Sequence, residues 1–297
     1  MARDKIYSEE EFPSPLVQLW QNFKQSPVVT IGFGCFVFLV LLAIFSPLIS
    51  PYSPIENNLE YILLPPAWHD NGDVSYLLGT DNLGRDMLSR LMHGASLTFG
   101  LSFVVVILSM CAGVIIGSLS ALTKGVKSSF LNHFLDVILS IPSLLLAIII
   151  VAILGPGLNN TLWAIVIVLI PQFIHITRNA VAQEFKKDYV LASQLDGASK
   201  IRILYYSIYP NIIEKLISQA TLAQSAAILD IATLGFLGLG APIPMPEWGA
   251  MLANGIDLFY IAPWTVYLPG LAILFAVMAT NLVGEGMRHA LKIRKEN

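Results

Sequence analysis

Residues 28–49 read VVTIGFGCFVFLVLLAIFSPLI, and no charged residue occurs anywhere between Lys24 and Glu56. At 1.5 Å per residue, a helix over this stretch is roughly 33 Å long, enough to cross a hydrocarbon core of about 30 Å. It is too long for the apolar part of a secretion signal, and its N-terminal flank is mixed in charge. It therefore reads as an uncleaved first span. The whole composition agrees. Of 297 residues, 55% are hydrophobic and only 12% charged, about half the charged share of a soluble domain. Charge is costly in hydrocarbon, so lipid is the solvent this composition fits. A net charge of −3 supplies no basic face for nucleic acid. Cys35 and Cys111 both lie in apolar runs and read as small packing residues, not as a disulfide framework or a metal site.

Further apolar runs extend the pattern. The second covers Gly94–Thr123. The third, Val137–Ile174, is divided by Gly155-Pro156-Gly157-Leu158-Asn159-Asn160, a cluster of turn formers that should reverse the chain. That gives spans near Phe134–Leu154 and Thr161–Thr177, with Pro142 and Pro171 expected to kink them. A fifth run covers Leu216–Leu239, broken only by Asp230, and a sixth covers Pro263–Val283. Cytoplasmic loops carry an excess of Lys and Arg. With the N-terminus inside, all of the 17 Lys and Arg except Arg85 and Arg90 fall in the cytoplasm. The expected architecture is an all-α polytopic membrane protein with six transmembrane helices and both termini cytoplasmic. Its parts are a cytoplasmic N-terminus (1–27), a first span (28–49), a periplasmic loop (50–93), a core of five spans (94–287) and a cytoplasmic tail (288–297). Within 1–27, Leu16, Leu19, Trp20 and Phe23 recur at helical spacing over Pro13–Lys24; this is either an interfacial helix or an extension of the first span.

The longest cytoplasmic connection, 178–215, is patterned unlike a flexible linker. Leu191, Leu195 and Ala198 share one helical face, and Ile201, Leu204, Tyr205 and Ile208 share another. Gly197 permits a sharp bend between them, and Pro210 should end or kink the second helix near the membrane. The product is a short helix-turn-helix whose apolar stripe rests either on its own bundle or on a separate partner. No Gly-x-x-x-x-Gly-Lys-Ser/Thr phosphate loop occurs, so the chain does not bind ATP by that route.

Charged residues in or near spans are functional suspects. Asp230 lies about halfway along span five. It faces a translocation pathway, caps a broken helix or pairs with another subunit. Outside the membrane, Asp81, Arg85 and Asp86 form a cluster in the 50–93 loop, either as a local network fixing that loop or as part of a docking surface. His69, His93, His133, His175 and His289 are scattered without metal-ligand spacing.

The run Asp188-Tyr189-Val190-Leu191-Ala192-Ser193-Gln194-Leu195-Asp196-Gly197-Ala198-Ser199, closing at Tyr209-Pro210-Asn211, resembles the Glu-Ala-Ala coupling loop of ABC importer permeases. Ala192, Gly197 and Pro210 keep the family spacing; Leu191, Ser193 and Asp196 depart from it. Leu78-Gly79-Thr80-Asp81-Asn82-Leu83-Gly84-Arg85-Asp86 and Leu88-Ser89-Arg90 resemble the signature of dipeptide and oligopeptide permease C subunits. So do Leu234-Gly235-Phe236-Leu237-Gly238-Leu239-Gly240, Pro246-Glu247-Trp248-Gly249-Ala250-Met251 and Asn281-Leu282-Val283-Gly284-Glu285-Gly286-Met287-Arg288. Leu195-Asp196-Gly197-Ala198-Ser199 is similar to the Sap-type members.

The resemblance implies a type I ABC importer permease fold in the bacterial inner membrane. It also implies a homologous B-type permease partner, two ATPase subunits and a periplasmic substrate-binding protein. ATP would be bound by the ATPases, leaving this chain non-catalytic and without a cofactor of its own. Tyr189, Ala192, Ser193, Asp196, Gly197, Ala198 and Pro210 would meet the ATPase. The implied cargo is peptide, antimicrobial peptides included, with haem or polyamines as alternatives. Two rival classes fit less well. A secondary transporter normally carries midplane ion-coupling groups and repeat symmetry, and here Asp230 is the one candidate with no repeat visible. A membrane enzyme needs a nucleophile and base or a metal cluster in its spans, and the sequence shows neither.

Overall fold

The computed structural model describes Phe23 and Lys24, residues 26–123 and residues 126–296. The amphipathic stretch at Pro13–Lys24 thus lies outside the described residues except for its last two. Among the described residues the chain is mostly helical and has no β-strand, only an isolated bridge between Thr80 and Asp86.

Helix α1 (Pro27–Ile49) is the first apolar run. After the loop that follows α1, α2 covers Met87–Ala121, with a π-helical stretch at Ala95–Gly100. It starts earlier than the expected Gly94, because Asp86 caps its N-terminus by accepting from Ser89 N at 2.8 Å. The first two turns of α2 therefore replace the end of the expected loop. Next come α3 (Val126–Leu139) and α4 (Ser143–Leu154). The expected span Phe134–Leu154 is not one helix: the chain bends by 90° between its halves. Pro142 supplies no N–H to a continuing helix, and both N and Oγ of Ser140 turn back to Asp136 O, at 3.0 and 2.6 Å. At the Gly155–Asn160 turn, Asn160 Nδ2 donates to Leu154 O at 2.9 Å. Helix α5 (Leu158–Glu184) follows and runs unbroken through Pro171.

Helices α6 (Asp188–Leu195) and α7 (Lys200–Ile203) form the hairpin of the 178–215 connection. The chain continues through a π-helical stretch, Leu204–Ile208, into α8 (Tyr209–Phe236). Pro210 was expected to stop or kink the helix here. Instead it occupies the first turn of α8, and the preceding π-turn takes up the hydrogen-bond register that a proline disrupts. A short helix, α9 (Trp248–Gly255), and a long one, α10 (Trp264–Glu296), complete the fold. The last continues helically into the expected tail.

Among the described residues, four helices, α1, α2, α5 and α10, are long and apolar enough to cross a membrane; α3 with α4 makes a fifth if the bent pair counts as one span. Helix α8 has 28 residues but is more polar, with Gln224, Ser225 and Asp230 buried along it. It is the central element, packing against α2, α5, α9 and α10. Val105, Ile165, Leu169 and Ala227 centre one apolar core between α2, α4, α5 and α8. Leu39, Phe99, Ile228, Trp248 and Ala276 centre a second between α1, α2, α8, α9 and α10. Where α2 meets α5, a Cβ on Gly113 would lie 2.3 Å from Phe173 Cβ; only glycine admits this approach.

Candidate functional site

The hairpin of α6 and α7 is anchored from below. Val190, Ile203, Leu204, Ile208 and Ile212 are buried with Ala180 and Val181 of α5 in a third apolar cluster. Glu184, the last residue of α5, accepts from Tyr189 Oη at 2.6 Å and pairs with Lys187 Nζ at 2.7 Å. Burial, then the hydrogen bond to Glu184 and its charge, push the Tyr189 hydroxyl up to about 12, so it stays a donor throughout the physiological range. Gly197 makes the bend with φ +82, a left-handed conformation costly for residues with a Cβ.

The other side of the hairpin is uncovered. Leu195 is 81% exposed, Ile201 76% and Tyr206 73%, with Leu191 and Tyr205 also exposed. The expected stripe thus divides. Leu204 and Ile208 point into the chain's own core, whereas Leu191, Leu195, Ile201 and Tyr205 point away from it. Ala198 packs on the inner cluster. Ser193, Asp196, Gly197 and Ala198 come together with Arg202 and Tyr206 around a cleft of about 280 Å³. Tyr189 sits on the anchoring side, Ala192 is exposed beside the stripe, and Pro210 is exposed but outside the cleft. Sequence periodicity missed Tyr206, because the π-turn rotates the face that a regular 3.6-residue repeat projects.

On the opposite side of the fold, Asp81 and Arg85 meet as expected, Nε to Oδ2 at 2.6 Å, and Arg90 joins them at 3.5 Å. Asp86 plays a different part as the α2 cap, accepting also from Ser89 Oγ at 2.6 Å. Arg90 Nη1 donates to Pro54 O at 2.8 Å and Pro244 O at 3.3 Å, joining the 50–86 loop to the segment before α9. Two indoles add to this seam: Trp248 Nε1 donates to Leu91 O at 3.0 Å and Trp264 Nε1 to Thr80 O at 2.9 Å. Glu247 accepts from Thr98 Oγ1, Gly249 N and Ala250 N, each at 2.8 Å. Asp230, in contrast, is 7% exposed and its Oδ2 has no hydrogen-bond partner.

Residues 113–296 match the family model of binding-protein-dependent transport system inner membrane components. The chain belongs to that family. Residues 14–66 of the permease match the N-terminal transmembrane domain of oligopeptide transport permease C. The permease is 46% identical to the peptide transport system permease protein SapC of Escherichia coli O6:H1, over 98% of each chain. It is 47% identical to SapC of Salmonella typhimurium, again over 98% of each. The di/tripeptide transport system permease protein DppC of Pseudomonas aeruginosa is 46% identical, over 96% of this permease and 94% of the relative. Among solved structures, the inward-facing MetNI methionine ABC transporter aligns with a TM-score of 0.56 and 18% identity, over 71% of this permease and 98% of that chain. At that identity the likeness is one of fold.

Proposed function

We propose that the permease forms half of the translocation pathway of a bacterial inner-membrane peptide importer. It pairs with a homologous B-type permease, is driven by two ATPase subunits, and receives cargo from a periplasmic binding protein. The names of the relatives support peptide as the cargo. In this reading α1, α2, α3 with α4, α5, α8 and α10 make six spans with both termini cytoplasmic. Helix α8 is covered on its open, largely apolar side by the partner permease, and Asp230 at the margin of that side borders the pathway. ATP binds only to the ATPase subunits. Their closure draws the hairpins of both permeases together, and the anchoring of Val190 and Ile203 to α5 and α8 passes that movement to the spans as a rigid-body rotation.

The observation that carries this reading is the uncovered apolar stripe on a hairpin firmly held from behind. Burying one leucine side chain is worth about 1.5–3 kcal/mol, and about 1.4 kcal/mol is a tenfold change in affinity. Leu195→Asp should therefore lower ATPase co-purification by at least about tenfold while the variant accumulates in the membrane at the usual level. Retention of the ATPases by that variant would contradict the assignment.

A further inference from the structure

We propose that Asp230 is the binding point for the ammonium group of the transported molecule, a proposal that rests on the peptide-importer reading above. Among the described residues, the other buried acids each accept from within the chain through at least one oxygen: Asp81 from two arginines, Asp86 from Ser89 through Oδ2 although its Oδ1 has no partner, Glu184 from Lys187 and Tyr189, and Glu247 from Thr98 and two backbone N–H groups. Asp230 Oδ2 is buried to the same degree and has no donor. Buried polar groups in folded proteins are nearly always partnered, and an ionisable residue at membrane depth calls for a named partner.

The cations of the packed elements lie elsewhere. Thr161 Oγ1 donates to Leu239 O at 2.9 Å, and Lys215 Nζ to Gln183 Oε1 at 2.9 Å, so α5 and α8 run side by side in opposite directions. Asp230 stands toward the Leu239 end. Lys215 is roughly 22 Å away along the α8 axis, and Arg178 of α5 lies toward the Lys215 end. Arg288 of α10 is paired with Glu285 and lies beyond Asn281, which bonds Ser225 at 2.9 Å. Arg90 of α2 is held by Asp81, Pro54 and Pro244. Helices α4 and α9 contain no Lys or Arg. Among the described residues, then, no cation of these packed elements meets Asp230, and the proposal draws it from outside the chain.

The way in is also visible. One helical turn either side of Asp230, Ala226 and Thr233 are small and only half-buried, and Leu229 beside it is exposed. The carboxylate therefore lies at the margin of the face that α8 leaves open. A peptide brings a protonated N-terminal amine at neutral pH, which supplies the charge that Asp230 lacks.

The test uses the complete transporter in proteoliposomes, with trialanine and N-acetyl-trialanine as probes. Wild type should import trialanine at a half-saturating concentration about tenfold below that of the acetylated form, and Asp230→Asn should bring the ratio close to one, the change expected when one member of a desolvated charge pair is lost. A ratio unaltered by the substitution would overturn the proposal. So would loss of the partner permease from the purified Asp230→Asn complex, because the cation would then belong to that subunit. A wild-type transporter that imports neither probe would contradict peptide import itself, and the role of Asp230 with it.

Discussion

Gly197 shows what one backbone angle does for the hairpin. Its φ is +82 and a Cβ there would meet nothing within 4 Å, so a substitution suffers from conformation alone and not from a clash. Asparagine tolerates this region far better than a β-branched residue. Gly197→Asn should keep near-normal uptake. Gly197→Val should cost about 1–2 kcal/mol locally, displace Leu195 relative to Ile201, and lower uptake several-fold while basal ATP hydrolysis persists. Equal uptake by the two variants would remove the bend from the coupling mechanism. At this scale the sequence was informative wherever partners are close along the chain. Gly197 at its bend and the Asp81–Arg85 pair, one helical turn apart in numbering, were both legible. Arg90 was not: its acceptors, Pro54 O and Pro244 O, are remote in sequence, and backbone carbonyls leave no residue-type signal.

Elements were legible in proportion to how purely apolar they are. Helices α1, α2, α5 and α10 announce themselves by uncharged runs long enough for a bilayer. Helix α4 and the end of α3 belong to one such run, but hydropathy does not report the right-angle bend that Ser140 and Pro142 impose. Helix α8 reads as a less apolar run because it carries polar residues, some of which meet partners inside the bundle: Gln224 Nε2 donates to Ser102 Oγ at 2.5 Å, and Gln219 Nε2 to Gln172 Oε1 at 3.1 Å, whereas Asp230 Oδ2 has no partner. The 50–86 loop is an element in its own right, tied to α2 by Arg90 and to α10 by Trp264, while Trp248 of α9 bonds Leu91 of α2. Arg90→Met leaves Asp81 with one arginine and two carbonyls with one donor fewer. Removing one member of a buried pair costs about 3–5 kcal/mol, so the purified variant should unfold at a distinctly lower temperature in detergent. An unshifted unfolding temperature would show that the loop is held without Arg90.

For the molecule as a whole, family membership settles the kind of machine, and the geometry indicates how the parts divide the work. The 50–86 loop, α9 and the starts of α2 and α10 form one fastened block. The hairpin at the far end of α5 and α8 is the other working surface, anchored on one side and bare on the other. Helix α8 joins them and contributes to both main apolar cores. The central claim is that the bare side of the hairpin faces the cytoplasm and is covered by an ATPase. A single cysteine at position 195, introduced as Leu195→Cys with Cys35 and Cys111 replaced by alanine, can be reacted with a membrane-impermeant maleimide. The account predicts labelling in inside-out vesicles only, and protection from it when the ATPase subunits are bound. Labelling in right-side-out vesicles, or no protection by the ATPases, would contradict it.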